Sequence, residues 1–183
     1  MNCLCCKNIV LEPRELEQGL LVAGCPNCEG TLITLMNYRY WMDKNGDATV
    51  RELHDASDIS MDVPVVVASA RSCPKCSRLM TKYQIGATTD HQLDLCGSCD
   101  EAWLDKGEWQ LLKALDLYGK LPKIFTDAWQ RNIRKARQEA SLQERYEKLI
   151  GVDDFAKAKE FKSWVYKHPH KEAIKQFLVI APE

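Results

Sequence analysis

Two Cys-x-x-Cys pairs, Cys73/Cys76 and Cys96/Cys99, stand close together in the middle of the chain, and they limit its fold more than any other feature. Each pair sets two thiolates on one edge of a tetrahedron, and the second pair closes the coordination shell. Zinc suits four soft thiolates because it needs neither redox chemistry nor ligand-field stabilisation, so the quartet reads as a structural zinc site. Two unrelated buried or redox-active pairs are the competing explanation, and the spacing argues against it.

The N-terminus repeats the pattern. Cys3 and Cys6 are followed, across an interval of nearly the same length, by Cys25 and Cys28. Sliding the chain along itself until Cys3 lies on Cys73 also lays Cys6 on Cys76, and one further step lays Cys25 and Cys28 on Cys96 and Cys99. This second alignment also brings Leu32 onto Trp103, Ile33 onto Leu104 and Tyr38 onto Trp109. An internal repeat of this length implies two units of one design. Eight of the nine cysteines are thereby used and Cys5 is left as a spare thiol, with Cys3-x-x-Cys6 preferred to an alternative that ends at Cys5. The expectation is two structural Zn2+ ions per chain.

Short antiparallel strands are expected within each unit. In the first, Ile9 to Leu11 and Leu20 to Val22 flank a turn around Glu17 to Gly19. In the second, Leu79 to Tyr83 and His91 to Leu95 flank a turn near Gly86 to Asp90. Such small cores need metal to fold. Asp105 and Glu108 have the spacing of a capping box for a helix from Lys106 to about Leu117, with Trp109, Leu112 and Leu115 on one face and Gly119 and Pro122 ending it. Residues 37–41 form its counterpart in the first unit. Residues 43–62 are polar and acidic without period and read as a linker, and Val63 to Ser69 as a strand. The tail reads as three helices. Thr126 caps the first, which Gly151 stops; Asp153 or Asp154 caps the second, and the third restarts at His168-Pro169. The fold class is a small α+β protein: two tandem four-cysteine zinc ribbons followed by a C-terminal α-helical region. The segments are 1–42 for the first ribbon, 43–70 for linker and entering strand, 71–119 for the second ribbon with its helix, and 120–183 for the basic helical region.

Composition narrows the function classes. No apolar run reaches the roughly eighteen residues that span a bilayer, and the longest, Val63 to Ala68, contains a proline. The first cysteine pair occupies the place of a secretory leader, so a cytoplasmic, reducing location without membrane association is expected. Charge is uneven: residues 1–70 hold five basic and ten acidic side chains, and residues 120–183 hold fourteen and nine. Lys120, Lys123, Arg131, Arg134, Lys135 and Arg137 crowd a short stretch against Asp127 alone, and Arg131, Arg134 and Lys135 share a helical face that can follow phosphates. A solvated helix face accounts for the same residues. Catalysis is not expected. Four thiolates leave a zinc ion no open position, the four histidines lie outside metal spacing, and no phosphate loop, nucleophile elbow or HExxH is present.

The central motif resembles the bacterial zinc ribbons of the transcription factor IIB-type zinc-finger family, whose pattern is Cys-Pro-x-Cys … Cys-x-x-Cys-x-Gly-x-Trp-Leu-Asp-x-x-Glu. It falls here on Cys73, Pro74, Cys76, Cys96, Cys99, Trp103, Leu104, Asp105 and Glu108. The resemblance covers residues 73–118 well and 3–41 loosely. Two departures stand out: Asp100-Glu101 replaces the usual glycine, and the first ribbon has Leu32 where tryptophan is expected. The resemblance implies a transcription-related module that binds nucleic acid or a nucleic-acid-handling protein complex. A cytosolic protein–protein adaptor is the alternative, and a thiol/zinc redox sensor, with Cys5 as the intruding thiol, a further one.

Overall fold

A computed structural model describes residues 1–52 and 70–180. The expected strand at Val63 to Ser69, and the linker beyond residue 52, lie outside the described residues. Met1–Arg134 and Lys135–Glu183 form separate compact units.

The first unit is built on one antiparallel sheet of six strands. These are β1 (Glu12–Glu17), β2 (Leu20–Gly24), β3 (Thr31–Thr34), β4 (Thr81–Gln84), β5 (Gln92–Cys96) and β6 (Glu101–Leu104), in the spatial order β1-β2-β3-β6-β5-β4. The two ribbons, expected as successive segments, are thus fused edge to edge through β3 and β6. Their register is symmetric. Thr31 pairs with Leu104, Leu32 with Trp103 and Ile33 with Ala102. The alignment that lays Cys25 on Cys96 maps this set of pairs onto itself, with an internal two-fold axis through the Leu32–Trp103 pair. The same alignment carries Ala23↔Leu32 onto Asp94↔Trp103 and Gly24↔Thr31 onto Leu95↔Ala102.

Side-chain alternation along the strands divides the core into two layers. Leu32 and Trp103 point to one face, where Leu11, Met80 and the buried cysteines of both quartets gather. Ile33, Ala102, Leu104, Val22 and Leu93 point to the other, which is covered by helices. These are α1 (Leu35–Glu52), α2 (Glu108–Ala114), a 3-10 turn (Tyr118–Lys120), α3 (Leu121–Ile124) and the start of α4 (Asp127–Ile150). Tyr38 and Trp109, equivalent under the repeat, meet edge-to-face with centroids 6.5 Å apart, and Trp41 lies 6.3 Å from Trp109.

Several elements differ from expectation. The strand expected at Ile9 to Leu11 forms later, at Glu12–Glu17. The apolar run is taken up by the knuckle instead: Ile9 O accepts from Cys3 N at 2.7 Å, and Leu11 N donates to Met1 O at 2.8 Å. Helix α1 continues through residues 43–52, which the sequence places in the linker. Helix α2 is shorter than expected, and Pro122, expected as a terminator, opens α3. Thr126 does cap α4, its hydroxyl accepting from Trp129 N at 3.3 Å.

Both outer edges of the sheet are protected. On β1, Pro13, Arg14 and Glu15 are exposed, and proline and charge both discourage strand addition. On β4 the Gln130 amide from α4 imitates a neighbouring strand, accepting from Gln84 N at 3.1 Å and donating to Gln84 O at 3.0 Å.

The second unit comprises the rest of α4, then α5 (Val152–Lys167) and α6 (Lys171–Val179). Gly151 stops α4 at φ 83°, where a side chain would be strained. Val165 is its one buried residue among those described.

Candidate metal centres

Four turns of one geometry deliver the eight cysteines. In each, the N–H after the second cysteine returns to the carbonyl of the first: Lys7 to Cys3 at 3.0 Å, Glu29 to Cys25 at 3.0 Å, Ser77 to Cys73 at 2.8 Å and Asp100 to Cys96 at 2.9 Å. All four donors are non-glycine residues at positive φ, between 53° and 61°. L-residues avoid that conformation, so the turns hold backbone strain that metal coordination can offset.

The sulfurs of Cys3, Cys6, Cys25 and Cys28 lie within 4.8 Å of one another, as do those of Cys73, Cys76, Cys96 and Cys99. Individual separations are 3.5 Å for Cys3–Cys28, 3.9 Å for Cys6–Cys25 and 3.5 Å for Cys76–Cys96. A tetrahedron with metal–sulfur bonds of about 2.3 Å has edges of about 3.8 Å, so both quartets fit an ion. All nine cysteines are free thiols. The quartets include Cys6 and omit Cys5. Cys5 is exposed, and its Sγ lies 3.7 Å from Asp105 Oδ1.

The donor set is electrostatically prepared. Burial opposes ionisation of Cys25, but the backbone N–H groups of Cys28 and Asn27 outweigh it and bring the thiol down to about 7. The Arg78 N–H does the same for Cys76, also to about 7. Burial pushes Cys3 and Cys73 up. Each quartet therefore includes a thiol that ionises near neutrality, and metal binding releases protons from ligand thiols that still hold them. Asn27 Nδ2 adds a hydrogen bond to Cys6 Sγ at 3.2 Å.

The Trp-Leu-Asp-x-x-Glu run acquires a physical reading, and the expected Asp105 cap is corrected. Gly107, not Asp105, precedes α2, and no side chain caps it. The Asp105 carboxylate is occupied elsewhere: it accepts the Trp103 indole N–H at 2.9 Å and the Arg71 guanidinium at 2.9 Å. Glu108 keeps its half of the box, accepting from Asp105 N at 2.8 Å. Arg71 also bonds Asp94 at 2.9 Å, Lys82 reaches Asp94 at 2.9 Å, and His91 lies 3.4 Å from Glu108. Burial pushes the Glu108 carboxyl up to about 8. Sequence reasoning missed Arg71, Asp94 and His91, whose burial has no local signature.

The two ribbons differ at two positions related by the repeat, and the differences compensate one another. Trp103 is fully buried, and a Cβ on Gly30 would lie 2.2 Å from its ring. Glycine is therefore required at position 30, diagonal to the tryptophan of the other ribbon. The internal two-fold relates Gly30 to Glu101 and Trp103 to Leu32, and opposite the smaller leucine a glutamate is accommodated. Glu101 accepts from Thr34 Oγ1 at 3.0 Å and from Lys75 at 3.0 Å.

Of the six basic residues, Arg131, Arg134, Lys135 and Arg137 lie on α4. Lys120 pairs with Asp116 at 3.2 Å and Lys123 is exposed on α3. Arg131 and Arg134 are exposed in the first unit and make no ion pair among the described residues. Lys135, in the second unit, lies 3.9 Å from Glu139, and Arg137 is partly buried. Among the described residues no helix is long and apolar enough to cross a membrane.

Comparison with family models, curated proteins and solved structures found no match for this chain.

Proposed function

We propose that the chain is a non-enzymatic binding module in which two structural zinc ions hold a rigid sheet and the C-terminal helices dock a protein partner. Zinc is the ion that suits four thiolates in a closed tetrahedron, and that shell leaves no position for substrate or water. The exposed apolar surface of the second unit carries the docking part of the reading. Leu149 is 66% exposed, Trp164 51%, Phe177 76% and Val179 84%. Helices α4 and α5 also border a groove of about 590 Å³ lined by Leu142, Tyr146, Ile150 and Phe155. This concentration of exposed apolar side chains in one small unit supports an interaction site there.

Nucleic-acid contact is a second reading, supported by the exposed guanidinium groups of Arg131 and Arg134. It would be electrostatic and independent of sequence. The likeness of residues 73–108 to the transcription factor IIB-type ribbons supports a partner that itself handles nucleic acid.

One experiment separates the two. The tagged chain is used for capture from native lysate, with and without nuclease, beside a Trp164→Ser/Phe177→Ser variant and an Arg131→Glu/Arg134→Glu variant. A protein retained after nuclease and lost with the first variant supports docking. Nucleic acid lost with the second variant and at raised salt supports the other reading. Retention that neither variant changes refutes both.

A further inference from the structure

We infer that the two metal centres fill as one coupled unit, and that Trp103 is the positioning residue through which the second ribbon organises the first centre. The inference rests on the reading that both quartets bind metal.

Gly30 belongs to the first centre's immediate surroundings. It lies two residues after the ligand Cys28, and its carbonyl accepts from the N–H of the ligand Cys25 at 2.9 Å. The wall against which this peptide rests is the indole of Trp103, close enough that not even a Cβ fits between them. Trp103 belongs to the second ribbon and is held there in two ways. Its backbone is paired with Asp94 on β5, two residues before the ligand Cys96. Its indole N–H is bound by Asp105, which Arg71 grips in turn. Arg71 lies two residues before the ligand Cys73, and its carbonyl receives Met80 N at 2.9 Å beyond the knuckle.

A second path runs beside the first. Lys75, between the ligands Cys73 and Cys76, pairs with Glu101, which also binds Thr34 on β3 of the first ribbon. The exposed Lys106–Glu29 pair adds little. Cys3, Cys25, Cys73 and Cys96 share a single core cluster with Leu32 and Trp103, so neither quartet has an apolar core of its own. An ion that orders the second ribbon places the indole, and the placed indole fixes the Gly30 peptide, whose carbonyl holds the Cys25 N–H and which follows closely on Cys28. Such an arrangement is a coupling free energy between sites, and it is reciprocal.

The test is titration of the metal-free, reduced full chain with Co2+. Thiolate-to-cobalt absorption is followed together with native mass spectrometry, which counts the ions on each chain. Wild-type protein is expected to pass from no ion to two with little one-ion species. Cys99→Ser, which disables the second centre, should lower first-centre affinity by a factor of about 5 to 150, and Cys6→Ser should lower second-centre affinity by a similar factor. In a Trp103→Leu background, which copies the residue at position 32, the Cys99→Ser effect should shrink to about twofold or less. Gly30→Ala, which forces the ring away, is an independent way to cut the same contact should Trp103→Leu fold poorly. Statistical filling of the wild type, with first-centre affinity unchanged by Cys99→Ser, overturns the coupling. Coupling that survives both Trp103→Leu and Gly30→Ala overturns the role of Trp103. Absence of thiolate–cobalt absorption in the wild type would instead refute the metal-binding reading itself.

Discussion

Replacing Glu108 with glutamine should make the protein more stable, and by an amount that grows with pH. The Glu108 side chain is almost wholly enclosed, faced by Asp105, Asp94, Arg71 and His91. Burial, reinforced by the two aspartates and opposed by the Asp105 N–H and Arg71, raises its carboxyl from 4.5 to about 8. The folded state thus binds this proton more tightly than the unfolded state does. The stability the group contributes is complete below 4.5 and is lost as pH rises towards 8. Within that window the loss is about 1.4 kcal/mol per pH unit, or roughly 2 to 3 kcal/mol between pH 6 and pH 8. Glutamine keeps an oxygen for the Asp105 N–H and does not ionise, so Glu108→Gln removes this dependence, while the titrations of groups that do not face Glu108 cancel between the two proteins. Denaturant unfolding of the metal-loaded proteins at pH 6, 7 and 8 measures the difference. The variant's lead at pH 8 should exceed its lead at pH 6 by about 2 to 3 kcal/mol, or roughly 5 to 10 °C in Tm. A difference that is the same at pH 6 and pH 8 would show that Glu108 is ionised throughout and the reasoning wrong.

Further outcomes follow from single contacts. Cys76→Ser should leave one ion per chain by mass spectrometry and melt the second ribbon; two ions with an unchanged melting curve would refute the ligand assignment. Ser77, at φ 61°, should accept glycine with no loss of stability, whereas valine there should cost roughly 1–2 kcal/mol in thermal unfolding. Gln130→Ala removes the amide that covers the β4 edge and should cost about 1–3 kcal/mol, with faster hydrogen exchange at Gln84. Chelating the metal should red-shift tryptophan emission, because Trp103 lies among the cysteines, and Trp103→Phe should lose most of that shift.

Legibility in the sequence followed how local the determining physics is. Candidate metal ligands declare themselves by spacing within a turn, and the eight cysteines that the fold gathers are those the spacing singles out, Cys6 over Cys5 included. Strand β5 showed alternation, and α4 showed Thr126 at one end and Gly151 at the other. Strands β3 and β6 were not readable as strands: each is short and mostly buried on both faces, which erases alternation. Strand β1 reads as loop because its exposed edge position favours polar residues. The Arg71, Asp94 and Glu108 cluster was invisible for a different reason. Isolated charges look like surface, and only the pairing of Arg71 with Asp94 on β5 and with Asp105, and of Glu108 on α2 with His91, lets them be buried.

The repeat also announced two ribbons without announcing one sheet, and edge protection supplies the missing step. A lone ribbon of this design would end on β3 or β6, a short apolar strand with unpaired backbone on one side, and such an edge invites association. Joining β3 to β6 satisfies both edges at once. The edges then left outermost are β1, blunted by Pro13 and charge, and β4, covered by Gln130. A symmetric pair of tryptophans on the axis would demand glycine at both position 30 and position 101. The chain instead places one tryptophan against Gly30 and one leucine opposite Glu101, which frees Glu101 to bind Thr34 and Lys75 across the seam. Breaking the symmetry thus replaces a second apolar wedge with a polar tie between the ribbons.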